Sequence, residues 1–179
     1  MAIAGGDVLT EPVEVEPVHE SVSPFYVVVK AMVTNGGDKQ EEHEYLESDS
    51  AFGAGIDLGY RFNHHFAMEL SATCGRNDVT KEEGHEIEVA EATYKTYGVN
   101  LVYHHELSQE YAMFFKVGYE REYESIDDFG TDEDEDGFTA AIGFAYEINE
   151  HVAAIAEYEH STIKGLHGDA FFVGMEYSF

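Results

Sequence analysis

The sequence predicts an all-β fold: an eight-stranded, antiparallel, up-and-down β-barrel that crosses a membrane. Three observations carry that expectation. In the last nine residues, Phe171, Val173, Met175, Tyr177 and Phe179 alternate with Phe172, Gly174, Glu176 and Ser178. Successive side chains of a strand point to opposite faces, so one face is bulky and apolar and the other mostly small or charged. A strand between lipid and a narrow polar lumen has that division. Seven further segments share a strand-like pattern, each near the roughly 9–11 residues that a tilted membrane strand needs. Finally, their connections alternate between short and long.

The expected strands cover about 25–34, 51–62, 66–76, 93–103, 111–123, 137–148, 152–162 and 169–179. The second places Phe52, Ala54, Ile56, Leu58, Tyr60 and Phe62 on one face and Gly53, Gly55, Asp57, Gly59 and Arg61 on the other. The sixth sets Phe138, Ala140, Ile142, Phe144, Tyr146 and Ile148 against Thr139, Ala141, Gly143, Ala145 and Glu147. The first is apolar on both parities and is phased by Lys30, and the seventh puts Ile155 among the polar set. Short connections fall at 63–65, 104–110 and 149–151; long acidic ones fall at 35–50, 77–92 and 124–136, with a shorter one at 163–168. Up-and-down strands place all short turns at one end, and an even strand count brings both termini to that end. Tyr60–Ala67 and Tyr146–Ala153 share the order strand, Asn-x-His turn, strand. This reads as one hairpin solution used twice, with Asn tolerating the left-handed backbone of a tight turn.

Residue size decides which face points inward. Gly, Ala, Ser and Thr with a few charges suit an eight-stranded interior, which is barely wide enough for side chains; the Phe, Tyr, Leu, Ile and Met set would overfill it. Aromatics also cluster at strand ends, as expected at two membrane interfaces. Tyr60, Phe62, Phe66, Tyr103, Tyr111, Tyr146, Tyr177 and Phe179 would ring the short-turn end, and Phe52, Tyr97, Tyr119, Phe138, Tyr158 and Phe171 the other.

Composition narrows the functional classes. Gly is high at 17 and Pro low at 3, with 12 Phe and 12 Tyr, which favours strands. A mean hydropathy of -0.32 is compatible with a barrel, where only every second residue meets lipid. A formal charge of -28 argues against nucleic acid as a partner. The single Cys74 rules out an internal disulfide and reads as a small buried hydrophobe. Residues 1–24 are expected to hold a signal-peptide remnant, Ala2-Ile3-Ala4 having the small-x-small form of a cleavage site, followed by an extended leader containing all three prolines. Residues 25–179 form the barrel.

Parity assigns a set of charges to the lumen: Lys30, Asp57, Arg61, Glu69, Lys116, Glu120, Glu122, Glu147, Glu157, Glu159 and Glu176. Charges in a confined interior must be paired or hydrated. The favoured arrangement is a salt-bridge network that plugs the barrel; the alternative is a gated, cation-preferring ion path. Asp132–Gly137 spells D-x-D-x-D-G, the opening of a calcium loop, but Gly143 stands where the bidentate Glu is required, so a solvated acidic loop is expected. His64, His65, His104, His105 and His151 gather at the short-turn end without metal-ligand spacing. His160 and Ser161 are adjacent, point to opposite faces, and cannot form a base–nucleophile pair. No catalytic residue, cofactor or metal is assigned.

The Gly59-Tyr60-Arg61-Phe62-Asn63 turn entry, the alternation of short turns and long loops, and the terminal Tyr177-Ser178-Phe179 together resemble the small outer-membrane barrels of Gram-negative bacteria: the OmpA transmembrane domain, OmpX and the opacity-type adhesins. The resemblance covers about residues 25–179. It implies a cell outer-membrane location with periplasmic termini and extracellular loops. It also implies lipid and lipopolysaccharide as surroundings, and a C-terminal signal at Tyr177 and Phe179 read by the barrel-assembly machinery. Some barrels of this size modify lipid A and others are narrow pores; the expectation here is a non-enzymatic barrel presenting acidic loops to an extracellular ligand or supporting envelope integrity.

Overall fold

The computed structural model describes residues 23–35, 38–41, 44–48, 50–83, 86–126, 131–163 and 169–179. The strands are β1 (Phe25–Thr34), β2 (Asp38–Glu41), β3 (Glu44–Ser48), β4 (Phe52–Arg61), β5 (Phe66–Glu83), β6 (Glu86–Glu106), β7 (Tyr111–Ile126), β8 (Thr131–Asn149), β9 (Val152–Ser161) and β10 (Ala170–Ser178). Eight of them, β1 and β4 to β10, pair antiparallel in a closed ring, β10 returning to β1. The β2–β3 hairpin adds to β5 beyond the ring.

Register sets the geometry. Pairing leads from Arg61 to Ala67, Val102, Lys116, Ala141, Glu159, Ala170 and Thr34, and the Thr34 amide then donates to the Ala51 carbonyl. One circuit therefore returns to β4 ten residues from where it left, because Ala51 precedes Arg61 by that number. Closure with such a stagger requires tilted strands. Each step to the next strand climbs about 1.25 residues, and each residue rises about 2.5 Å along the axis at a tilt near 40°.

The outward face is apolar, with Val29, Leu58, Leu70 and Val117 each more than half exposed. Both aromatic sets are also exposed. Phe52, which opens β4, and Phe62, the residue after its end, lie about 25 Å apart along the axis, the height of a barrel's lipid-facing band. In β1 the inward side chains are Tyr26, Val28, Lys30, Met32 and Thr34. Large inward groups fit because glycines face them: a Cβ on Gly59 would overlap the Tyr26 ring, and one on Gly143 the Phe114 ring.

Three sequence expectations need correction. The acidic stretches 77–92 and 124–136 are largely strand, extending β5 with β6 and β7 with β8, and part of 35–50 forms β2 and β3. Above the lipid a strand needs no apolar face, so a search for alternating greasy residues stops too early. Asp134 and Asp136 accordingly lie on an extended strand, bonded to Arg121 and Tyr119, and not in the solvated loop expected. Cys74 is exposed on the outward face instead of buried.

At the other end the turns share one device. Asn63 Oδ1 accepts from the His65 and Phe66 amides at 2.9 and 3.0 Å; Asn149 Oδ1 accepts from His151 and Val152 at 2.9 and 3.1 Å. Ser108 Oγ does the same for Glu110 and Tyr111. The Asn side chain replaces missing backbone partners, which is the physical basis of the repeated Asn-x-His hairpin. Ser23 and Phe25 meet Phe179 at this same end.

Candidate functional site

With the climb of the register taken into account, Lys30, Asp57, Glu69, Lys116 and Glu157 lie within about two residues of one level. They come from β1, β4, β5, β7 and β9, and all are buried. Lys30 Nζ is 2.9 Å from Asp57 Oδ2 and 3.7 Å from Glu157 Oε1. Lys116 Nζ is 2.6 Å from Glu69 Oε2, 2.8 Å from Glu157 Oε2 and 3.5 Å from Asp57 Oδ2. The Tyr26 hydroxyl donates to Glu69 Oε1 at 2.8 Å. Two ammonium groups thus bridge three carboxylates in a closed layer. Ion pairs at this depth survive only with each charge partnered, since an unpartnered one costs several kcal/mol.

Apolar layers bracket these charges. On the short-turn side Tyr26, Val28, Ala67, Val102, Phe114 and Ile155 form a buried cluster; on the other, Met32, Ala170 and Phe172 do. Lys30 Nζ sits 4.2 Å from the Phe172 ring centroid, and Lys116 Nζ 5.2 Å from that of Phe114. Each ammonium thus also lies near the face of a ring, whose quadrupole attracts a cation.

The remaining lumen candidates do not join this layer. Arg61 pairs with Glu176 and donates to Ser178 Oγ nearer the short turns, its guanidinium 4.1 Å from the Tyr26 ring centroid. Glu120 accepts from Ser161 Oγ at 2.8 Å and Glu122 from Thr96 Oγ1 at 3.5 Å, both nearer the long strands, where Glu159 also lies. Glu147 is exposed and lines a vestibule of about 410 Å³ at the short-turn mouth, with Arg61, His104 and Glu176. Pattern reasoning passed over Tyr26, Ser178 and the Ser71–Asn100–Thr139 chain of polar contacts. Counting by twos from Lys30 reaches Val28 and Tyr26, so that signal was present.

The histidines spread over the short-turn rim. His65 Nδ1 is 3.3 Å from the His104 carbonyl oxygen and His151 Nδ1 3.0 Å from that of Ser178. Among the described residues no group of His, Cys, Asp and Glu side chains could hold a metal ion. His160 is exposed and pairs with Asp169 at 2.6 Å, whereas the Ser161 hydroxyl turns inward to Glu120.

A closed eight-stranded barrel with an oily exterior and a charged, filled interior defines a membrane-spanning outer-membrane barrel. Sequence comparison agrees, and the chain belongs to the outer membrane protein beta-barrel domain family, whose match covers residues 14–179. Among solved structures, OprG of Pseudomonas aeruginosa superposes with a TM-score of 0.74 at 13% identity, covering 88% of this chain and 97% of that one. Neisserial surface protein A gives 0.69 at 17%, covering 89% and 100%. Ail, the attachment invasion locus protein of Yersinia pestis, gives 0.52 at 14%, covering 88% and 99%, and another of its structures holds the heparin analogue sucrose octasulfate. At these identities the likeness is one of fold. No curated protein matches the sequence.

Proposed function

We propose that this outer-membrane protein is a non-enzymatic, closed barrel whose role is to hold acidic strand extensions outside the cell, for surface interaction or envelope integrity. The observation that carries the reading is the lumen layer of Lys30, Lys116, Asp57, Glu69 and Glu157, buried between two apolar clusters. A cylinder blocked at mid-height serves as an anchor. The open His160–Ser161 geometry adds no support for hydrolysis.

The surface partner follows from charge. Ail is seen with a sulfated polyanion; a chain of formal charge -28 repels such a ligand, and favours a cationic partner or lipopolysaccharide phosphates bridged by divalent cations. Tyr177 and Phe179, exposed and 5.2 Å apart between ring centroids, form the C-terminal signal for the assembly machinery. A narrow cation-preferring pore is the second reading, favoured by the excess of carboxylates over lysines in the charged layer. Single-channel recording of the refolded chain separates the two. No steady conductance is expected; a large, steady, cation-selective current would replace the anchor with the pore.

A further inference from the structure

Arg76, Lys95 and Arg121 share the outward face of three consecutive strands, β5, β6 and β7. Arg76 pairs with Thr93, and Lys95 is two residues further along β6; Lys95 in turn pairs with Tyr123, two residues from Arg121. Each basic residue is therefore the diagonal neighbour of the next, about 7–8 Å apart between backbones. Correcting for the climb of the register puts all three within about two residues of one level. That level is the aromatic girdle of the long-strand end, with Phe52, Tyr97, Tyr123 and Phe138. Three of the chain's nine basic residues thus stand side by side where lipid headgroups begin.

The surrounding groups give the patch a direction. Arg121 pairs with Asp134 and lies 5.4 Å from the Tyr123 ring centroid, and Tyr123 meets Tyr97 edge to face at 6.2 Å. Arg76 is 3.7 Å from Glu91. In both ion pairs the carboxylate lies further from the membrane than its arginine, so the positive end faces the headgroups. Asp136, at the height of the patch, accepts from the Tyr119 hydroxyl. Lys95 is exposed and has no ion-pair partner among the described residues. The outward faces of β1, β4, β9 and β10 carry no lysine or arginine.

We propose that Arg76, Lys95 and Arg121, with Tyr97 and Tyr123, form a binding site for the phosphorylated headgroup of a glycolipid in the outer leaflet. Guanidinium groups suit phosphate because their paired N–H groups match two of its oxygens, while the tyrosines pack against the sugar. The site fixes one lipid on one side of the barrel. It requires only the barrel's place in the outer membrane, and so stands apart from the role assigned to the acidic extensions and from the question of conductance.

The test uses the full chain refolded in phosphatidylcholine nanodiscs containing a minor fraction of diphosphorylated lipid A. Lipid retained per protein after detergent extraction is counted by mass spectrometry and compared with the dephosphorylated lipid. Wild type should retain the phosphorylated form preferentially, and R76Q/K95Q/R121Q, checked for folding by heat-modifiable gel mobility, should lose that preference. K95Q alone, which breaks no ion pair among the described residues, should lower retention about fivefold, and D136N should raise it. Equal retention by wild type and K95Q would overturn the site. So would complete displacement of the lipid by millimolar inorganic phosphate, which would mark a free-anion site.

Discussion

The barrel has a low wall and a tall one. β9, β10, β1 and β4, contiguous in the ring, have 9 or 10 residues each and stop at the upper aromatic girdle. β5 to β8 run for 16 to 21 residues and continue beyond it. Below the girdle the two walls obey one rule: oily side chains outward, and inward a mixture of small, ionised and tightly buried apolar ones. Above it the tall wall keeps its pairing while losing its greasy face, as the cross-strand neighbours Glu122–Glu135 and Glu124–Glu133 show. Lipid dictates side-chain alternation, whereas backbone hydrogen bonding carries a strand onward without it. The two walls therefore differ in what makes them strands.

The largest expected effect tests the link between them. Lys116, on the tall wall, touches Asp57 and Glu157 of the low wall as well as Glu69. Lys116→Met should destabilise the barrel by about 3–5 kcal/mol in urea unfolding from lipid, since it strands buried carboxylates. Lys30→Met removes a lysine whose ion pairs, among the described residues, are with Asp57 and Glu157 and should cost less. Equal costs would show that the walls are not joined through Lys116.

Below the girdle the walls should behave alike. Gly59→Leu on the low wall pushes into Tyr26, and Gly143→Leu on the tall wall into Phe114. Each overpacks the lumen and should cost about 1–3 kcal/mol; a twofold disparity in unfolding free energy would mean that the two sides pack by different rules.

A smaller effect lies at the seams. Asn63 and Asn149 each close a turn between a low-wall and a tall-wall strand, and alanine at either should cost about 1 kcal/mol through lost hydrogen bonds. Smallest of all, replacing residues 79–90 with a short turn removes the summit of β5 and β6. Loop-length changes cost only about 0.6 kcal/mol per doubling, so the trimmed chain should keep its heat-modifiable mobility and unfold at nearly the same urea concentration. Its failure to fold would make the tall wall part of the barrel's stability and not an addition to it.

Much of this was legible as pattern. A period of two assigned inward and outward faces even in β1, where Lys30 alone set the phase, and in β9, where Ile155 proved to be inward and buried. The short turns were legible as Asn-x-His repeats, although the side-chain hydrogen bonds behind them were not. The tall wall was missed because Asn77–Glu83 and Thr131–Asp136 lack an apolar face, the feature used to find strands. Glu147 was placed among the lumen charges by parity alone; its height puts it at the mouth.

The barrel class, the oily exterior and the membrane-spanning length of each strand follow from the order of residues, because lipid imposes a local, two-residue rule on every strand separately. Only the closed structure decided which charges meet. Lys30, Asp57, Glu69, Lys116 and Glu157 are scattered over 128 positions of chain, counting from Lys30 to Glu157 inclusive, and parity cannot separate them from Arg61 or Glu120. What gathers them, and what lines up Arg76, Lys95 and Arg121 outside, is the ten-residue stagger of the ring. That stagger belongs to the pairing of all eight strands and to none of them alone.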